Sequence, residues 1–152
     1  MVTVADIRET TVAAQIHALQ RAAYAVEARW IGSSDFPPLR ETLDALAGST
    51  DCFLVFSEGG SIVGCLSYGI DRATVTINRL VVSPGHFRRG IASALLRELE
   101  TRLTPGATVC AWTADLNEPA VKAYRKHGYR LAGVQVTPEW IGLLRLEKQV
   151  GW

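Results

Sequence analysis

Residues 77–103, INRLVVSPGHFRRGIASALLRELETRL, join a strand, a short basic loop and an amphipathic helix. A β-branched run over residues 75–82 ends at Ser83-Pro84-Gly85, and apolar residues then recur at helical spacing, at Ile91, Leu95, Leu96, Leu99 and Leu103. The first-turn N–H groups of a helix lack intrahelical partners, and the helix dipole favours an anion there. Residues 86–92 therefore predict either a phosphate site or an ordinary connection with solvated arginines.

Two classes of phosphate-binding loop do not fit this stretch. A nucleotide P-loop ends in Gly-Lys-Ser/Thr, whereas this loop ends in Gly90-Ile91-Ala92. A Rossmann fingerprint needs three glycines in G-x-G-x-x-G order, and only Gly85 and Gly90 are present. What remains is a phosphate site without metal-binding or ribose-reading residues.

Length and charge limit the number of domains and the kinds of partner that we expect. A chain of 152 residues, 48% of them hydrophobic, fits one domain over residues 1–152. A net charge of +1 with mixed signs gives no reason to expect binding to nucleic acid or to a membrane surface. The early acidic residue and the absence of a long apolar run argue against a secretory signal or a membrane span. We expect a cytoplasmic protein.

Three cysteines, Cys52, Cys65 and Cys110, are widely spaced within apolar, strand-like runs. An odd number without metal-ligand spacing predicts buried free thiols in a reducing compartment. We expect no disulfide and no metal site.

The first third of the chain predicts an edge strand over residues 2–7 and two helices. The first helix begins near Thr10, and its apolar stripe consists of Val12, Ile16, Leu19, Ala23, Val26 and Trp30. Gly32 and a proline-containing loop over residues 33–38 separate it from a second helix over residues 39–47.

The remaining chain alternates strands with helices. A Gly-Gly turn joins strands 52–57 and 62–70 into a hairpin, and Asp71-Arg72 leads into the strand that ends at residue 82. After the helix described above, further strands are predicted at 107–113, 129–136 and 141–149, with a helix that starts at residues 117–119. The order β α α β β β α β α β β predicts an α/β (α+β) fold, in which helices cover one mixed sheet with a central right-handed parallel crossover.

A second segment, residues 115–129 with the sequence DLNEPAVKAYRKHGY, carries another candidate site. Asn117 and Tyr124 are seven positions apart, about two helical turns, so both side chains face one side of the helix. Considered alone, Asn117 could be only an N-cap and Tyr124 only a core aromatic residue.

Together the two segments resemble the GNAT superfamily of acyl-CoA-dependent N-acetyltransferases. The first is similar to the motif V-x-P-x-x-(Q/R)-x-x-G-x-(G/A), with Phe87 at the Gln/Arg position; the matching residues are Val82, Pro84, Gly90 and Ala92. The second is similar to N-x-x-A-x-x-x-Y-x-K-x-G-F/Y; the matching residues are Asn117, Ala120, Tyr124, Lys126, Gly128 and Tyr129. The resemblance implies a single-domain GNAT-like fold, with a mixed, mostly antiparallel sheet of about seven strands, four flanking helices and splayed central parallel strands.

The resemblance also implies acetyl-CoA as co-substrate, with no metal. Backbone groups of Leu80 and Val82 would pair with the pantetheine arm, and the amides of residues 88–92 would hold the pyrophosphate with help from Arg88 and Arg89. The cofactor-binding residues implied are Leu80, Val81, Val82, Phe87, Arg88, Arg89, Gly90, Ile91, Ala92, Asn117, Ala120 and Tyr124.

The implied reaction is direct attack of a neutral amine on the thioester. Tyr124 would protonate the departing thiolate, and the Val82 N–H would polarise the carbonyl. Many relatives carry a glutamate where this chain has Thr76. The base is therefore expected to be a water held by Asn78 and Thr76, or else Glu27 from the first helix; a third alternative is a substrate amine that is already largely neutral and needs no strong base.

The acceptor is a primary amine in a small molecule, peptide or protein, and residues 24–40 and 139–140 are expected to select it. The apolar residues of the first of these regions, Trp30, Phe36, Pro37 and Pro38, either favour a modest amine with an apolar part or a peptide amine, or only pack between the helices. One alternative is a CoA-binding sensor or interaction module with little catalysis, and another is an acyl donor longer than acetyl. We expect a monomer or a homodimer.

Overall fold

The structure is a computed structural model, and it describes residues 1–32, 37–138 and 142–151. Its described strands are β1 (Val2–Ala5), β2 (Cys52–Glu58), β3 (Ser61–Asp71), β4 (Thr74–Val82), β5 (Thr108–Ala114), β6 (Arg130–Val136) and β7 (Gly142–Gln149). Its described helices are α1 (Thr10–Ile31), α2 (Leu43–Ala47), α3 (Ile91–Thr101) and α4 (Glu118–Lys126), with 3₁₀ turns at Pro37–Arg40 and Pro84–His86.

The seven described strands form one sheet in the order β1-β2-β3-β4-β5-β7-β6. Neighbouring strands are antiparallel except β4 and β5, which are parallel because α3 carries the chain across between them. The predicted fold class is therefore confirmed, including the central parallel crossover.

Each face of the sheet has its own apolar core. On one face, α3 and Tyr124 of α4 pack against alternate residues of the central strands, among them Val75 and Ile77. On the other face, α1 and α2 pack against Phe53, Cys65 and other residues of the opposite alternation. The strand period of two thus sends successive side chains of β4 into different cores.

Several predicted boundaries were wrong. The second helix was expected over residues 39–47, but a 3₁₀ turn comes first and α2 begins only after Thr42, whose hydroxyl accepts a hydrogen bond from Ala45 N at 3.1 Å. The first strand ends at Ala5 rather than residue 7, since Asp6 turns the chain by accepting a bond from the Arg8 amide. Cys52 is exposed, whereas the other two thiols are buried as expected.

The predicted apolar stripe of α1 is buried over its first half and emerges at its end, where Trp30 is 41% exposed. Predictions that fall on residues 33–36 and 139–141, including the start of the last strand, lie outside the described residues. No helix in the described ranges is long and apolar enough to cross a membrane.

Gly64 allows α3 to lie close against β3. A Cβ at this position would lie 2.5 Å from Ile91 Cγ2 and 3.3 Å from Leu95 Cδ1, so a side chain here forces the first turn of α3 away. We expect Gly64→Ala to destabilise the fold by about 1–3 kcal/mol, the range for overpacked cores, measured by urea unfolding. Gly85→Ala is the matched control, because nothing lies within 4 Å of its added Cβ. Equal stability of the two variants would contradict this prediction.

Candidate active site

The central parallel strands separate before they end. The ladder between β4 and β5 runs from Thr74–Thr108 to Ile77–Ala111 and then stops. Beyond it, β4 stays paired with β3 up to Val82, while β5 stays paired with β7 up to Ala114. A gap therefore opens through the middle of the sheet.

A β-bulge marks the point where β4 turns away. Ile77 lies opposite Tyr68 and Arg79 lies opposite Ser67, so Asn78 is an extra residue on β4. Bulges bend a strand and increase its twist. Because the extra residue interrupts the alternation, Asn78 and Arg79 both reach towards Asp51 on the α1 face.

The backbone of β4 offers hydrogen-bonding groups to the gap. Ser83 N donates to Val63 O at 2.8 Å, which makes these two residues a hydrogen-bonded antiparallel pair. Such pairs alternate along a ladder, so the N–H and C=O groups of Val82 and Leu80 point away from β3 and towards the gap. The Val81 side chain is buried against α1, and by the same alternation its N–H and C=O groups face Cys65 of β3, so neither its side chain nor its backbone groups point into the gap.

The loop before α3 is shaped by two residues with left-handed backbone conformations. Arg88 has φ of 65° and Gly90 has φ of 76°. A positive φ is uncommon for a residue other than glycine, and such residues cluster at functional sites. Gly90 is the N-cap of α3 and supplies no side-chain acceptor, so the first-turn N–H groups of Ile91 and Ala92 have no side-chain cap.

Side chains of this loop contact neighbouring elements. Arg89 Nη1 lies 3.2 Å from Glu58 Oε1, and His86 Nε2 lies 3.8 Å from the same oxygen. Phe87 packs its ring against that of Trp30 at the end of α1, with centroids 5.9 Å apart. Phe87, which occupies the Gln/Arg position of the motif, therefore connects the loop to α1.

Helix α4 begins at the other side of the gap. Asn117 is its N-cap, and its Oδ1 accepts a hydrogen bond from Ala120 N at 3.3 Å. Tyr124 is 4% exposed and makes an edge contact with the Tyr129 ring, with centroids 5.1 Å apart. Both properties that the sequence left open, capping and core packing, are present.

Glu27 and Tyr24 of α1 approach Tyr124 from the opposite face of the sheet. Burial raises the pKa of Tyr124 far above its ordinary value, and the neighbouring Tyr129, Tyr24 and Glu27 raise it further. Burial also raises the pKa of Glu27, while a hydrogen bond from the Asn117 side chain lowers it. Residues on opposite faces can interact in this way only past the end of the β4–β5 ladder, so these side chains meet at the gap.

The other candidate for the base, a water held by Asn78 and Thr76, is not favoured by this geometry. Asn78 Nδ2 donates to Asp51 Oδ1 and Oδ2 at 3.1 and 3.0 Å. Thr76 Oγ1 lies 3.5 Å from Cys110 Sγ, and Cys110 is the residue paired with Thr76 on the neighbouring strand β5. The structure thus brings Glu27, not Asn78, close to Tyr124.

Sequence reasoning missed a buried charge cluster on the α1 face. Arg79 forms ion pairs with Glu41 and Asp51, although these residues are far apart in the chain. The one available signal was an arginine within an apolar central strand, since a buried guanidinium needs partners. Those partners could not be identified beforehand, because only the folded topology brings them to Arg79.

One family profile matches most of the chain. The family described as "Acetyltransferase (GNAT) family" matches residues 14–129. The UPF0157 protein YqkA of Bacillus subtilis (strain 168) is 34% identical over 125 residues, which make up 82% of this chain and 36% of the relative. This chain therefore spans about a third of that relative's length.

Solved structures with the same fold include several acetyltransferases, of which two are described. An N-acetyltransferase from Staphylococcus aureus Mu50 is similar with a TM-score of 0.77 and 22% identity, covering 99% of this chain and 98% of that one. The PaiA N-acetyltransferase from Thermoplasma acidophilum, in complex with coenzyme A, has a TM-score of 0.79 and 16% identity, covering 98% and 99%. At these identities the similarity concerns the fold.

Proposed function

Because the chain belongs to the acetyltransferase (GNAT) family, we propose that it transfers an acetyl group from acetyl-CoA to a primary amine by direct attack. One observation carries the proposal most directly. The gap between β4 and β5 has free backbone groups along one edge, an uncapped helix N-terminus at one end, and Tyr124 and Glu27 beside it. Solved structures of this fold with coenzyme A bound add support.

The donor would lie along β4 with its phosphates at α3. Backbone groups of Leu80 and Val82 would pair with the amides of the pantetheine arm and so regain the hydrogen bonds they lack towards β5. The pyrophosphate would accept bonds from the first-turn amides of α3, where the helix dipole favours negative charge. Arg88 and Arg89 are exposed beside that helix end and would add charge-assisted contacts.

The acceptor would enter from the α1 face, since the donor fills the α3 face. Glu27 would take a proton from the amine as its nitrogen attacks the thioester carbon. The oxyanion would accept a hydrogen bond from Val82 N–H, which faces the gap. When the carbon–sulfur bond breaks, Tyr124 would give its hydroxyl proton to the departing sulfur, and its raised pKa keeps the hydroxyl protonated until then.

Glu27 is a suitable base because no described cation is paired with it. Among the described residues no lysine or arginine forms an ion pair with its carboxylate, and burial, the larger influence, raises its pKa. A carboxylate with a raised pKa is a stronger base than one held by arginine. Asn117 is then a positioning residue, which caps α4 and orients Glu27 at once.

The proposal is tested by incubating the protein with acetyl-CoA and a panel of amines while free thiol is measured. The panel comprises tyramine, spermidine, kanamycin and a hexapeptide with a free N-terminal alanine. We expect thiol release that depends on at least one amine, with the acetylated product visible by mass spectrometry. Thermal stabilisation by acetyl-CoA without thiol release for any amine would instead favour a CoA-binding module. Greater stabilisation by a longer acyl-CoA would identify a different donor.

Glu58 should weaken donor binding, because its carboxylate pairs with Arg89 and repels phosphate. Both side chains are about half exposed, so the pair contributes about 0.2–1 kcal/mol. We expect Glu58→Gln to tighten acetyl-CoA binding by roughly 1.5- to 5-fold, measured by calorimetry at low salt. Glu98→Gln, which removes a carboxylate paired with Arg102 in α3, is the control and should leave affinity unchanged. Weaker binding by the Glu58 variant would refute this role.

A further inference from the structure

Arg79 joins four parts of the α1 face. Its side chain is 11% exposed, and the β-bulge at Asn78 directs it towards that face. Nη1 lies 3.3 Å from Asp51 Oδ2 and 3.0 Å from Ser67 Oγ, while Nε and Nη2 bond the two oxygens of Glu41. The guanidinium carbon also lies 5.4 Å from the centre of the Phe53 ring. The planar guanidinium, which donates to both oxygens of Glu41 like a fork, holds this carboxylate in one orientation.

Glu41 is held from α1 as well. Gln20 Nε2 donates to Glu41 Oε1 at 2.7 Å, and His17 Nε2 lies 3.1 Å from the Glu41 carbonyl oxygen. Glu41 lies between the 3₁₀ turn Pro37–Arg40 and α2. Side chains from β4 and α1 therefore fix the short connection that leads into α2. We call Arg79, Glu41, Asp51 and Gln20 the clamp.

The clamp extends to the candidate catalytic residues through Tyr24. Arg79, Glu41 and Glu27 all act electrostatically on the Tyr24 hydroxyl, and Tyr24 in turn acts on Tyr124. Gln20, Tyr24 and Glu27 follow one another at spacings of four and three, so they form one stripe along α1. The same helix face thus carries a clamp residue at one end and the candidate base at the other.

Stability alone is a weak reason for such a cluster. A buried ion pair often stabilises a protein no better than apolar side chains of the same volume, since desolvation offsets the attraction. The better-attested use of such pairs is to specify one arrangement among several.

We propose that Arg79 and Glu41 are positioning residues for the amine acceptor: the clamp fixes the connection before α2 against the sheet on the side where the acceptor enters. This inference rests on the proposed acetyltransferase function. It predicts an effect on the acceptor and none on the donor, whose contacts lie along the other edge of β4 and at α3.

The test measures steady-state kinetics with acetyl-CoA and the panel amine that the wild-type protein acetylates fastest. We expect Arg79→Met to raise the KM for the amine at least tenfold, while the KM for acetyl-CoA stays within twofold and kcat within fivefold. Arg79→Lys keeps the charge but loses the planar fork, so it should recover part of the amine affinity. Arg102→Met, which removes an ion pair with Glu98 on α3, is the matched control and should change neither KM.

A second variant keeps the test informative if Arg79→Met does not fold, because Arg79→Met leaves two carboxylates without their cation. Arg79→Met combined with Glu41→Gln and Asp51→Asn removes the clamp without leaving a buried unpaired charge, and it should raise the amine KM equally. Because the residues act as a unit, adding Glu41→Gln to Arg79→Met should increase the amine KM less than the product of the single effects.

The possible failures are distinguishable. Absence of thiol release by the wild-type protein with every amine would overturn the proposed function and this inference with it. Wild-type turnover with an unchanged amine KM in the triple variant would overturn the inference alone. A parallel rise of both KM values, or the same effect in Arg102→Met, would show that the clamp only stabilises the fold.

Discussion

Replacing Glu27 with glutamine should lower kcat by about 100-fold or more at pH 7, within the range of about 10²–10⁴ that general bases contribute. Glutamine keeps the volume and can still accept the hydrogen bond from Asn117, but it cannot take a proton. The measurement is the initial rate of thiol release at saturating acetyl-CoA with an acetylated panel amine. Donor affinity should be unchanged, because Glu27 lies on the acceptor face.

The pH profile gives the more specific readout. Glu27 must be ionised to act, and burial raises its pKa, so wild-type kcat should fall as pH decreases through that raised value. The Glu27→Gln profile should lose this acid limb. Glu9→Gln, at the exposed N-cap of the same helix, should keep the wild-type profile. A Glu27→Gln enzyme within threefold of wild type, with its acid limb intact, would exclude Glu27 as the base.

The contribution of Glu27 to folding stability should depend on pH in the opposite direction to its contribution to kcat. A folded-state pKa raised above the unfolded value means that Glu27 favours folding most at low pH, and that this contribution is lost as pH rises through the folded pKa. Above that raised pKa the carboxylate is ionised in a partly buried position, and glutamine avoids the cost of desolvating this charge. Glu27→Gln should therefore raise Tm at pH 7 and leave it nearly unchanged at pH 4, the pattern of a residue kept for activity at some cost in stability.

Replacing Tyr124 with phenylalanine should also lower kcat by about 100-fold, since the thiolate then departs without a proton donor. The ring and its contact with Tyr129 remain, so folding and acetyl-CoA binding should be preserved. Single-turnover acetyl transfer and donor titration by calorimetry separate the two effects.

Tyr129→Phe is the matched control for Tyr124→Phe. The Tyr129 hydroxyl is buried and has no hydrogen-bond partner among the described residues, so its removal should leave activity unchanged and stability equal or higher. Equal activity of the Tyr124 and Tyr129 variants would remove Tyr124 as the acid. A donor leaving group that needs no proton, such as an acetyl thioester of a low-pKa thiol, should restore most of the rate to Tyr124→Phe.

The parts of the fold that the sequence predicts are those built from contiguous residues. The strand, glycine loop and helix at residues 77–103 lie within one stretch, and spacing alone places Asn117 and Tyr124 on one side of α4. Apart from Arg88, whose backbone is left-handed, their local preferences agree with the fold.

The acceptor side could not be predicted in the same way. Arg79 finds Glu41 and Asp51 only through the topology, and the register shift that aims Arg79 at them depends on pairing between two strands. The left-handed conformation of Arg88 is likewise set by the surrounding structure rather than by a residue preference. The approach of Glu27 to Tyr124 requires the sheet to open between them.

That opening begins where β4 carries one extra residue, Asn78. Without Asn78, Ile77 and Arg79 would still face opposite sides of the sheet in regular alternation, and β4 would have no bend at this point. A straight β4 would be able to stay hydrogen-bonded to β5 along its full length, which would close the gap. Substituting Asn78 preserves the number of residues in β4, whereas deleting it does not. A mutational survey made only of substitutions would therefore not test the effect of this extra residue on the gap.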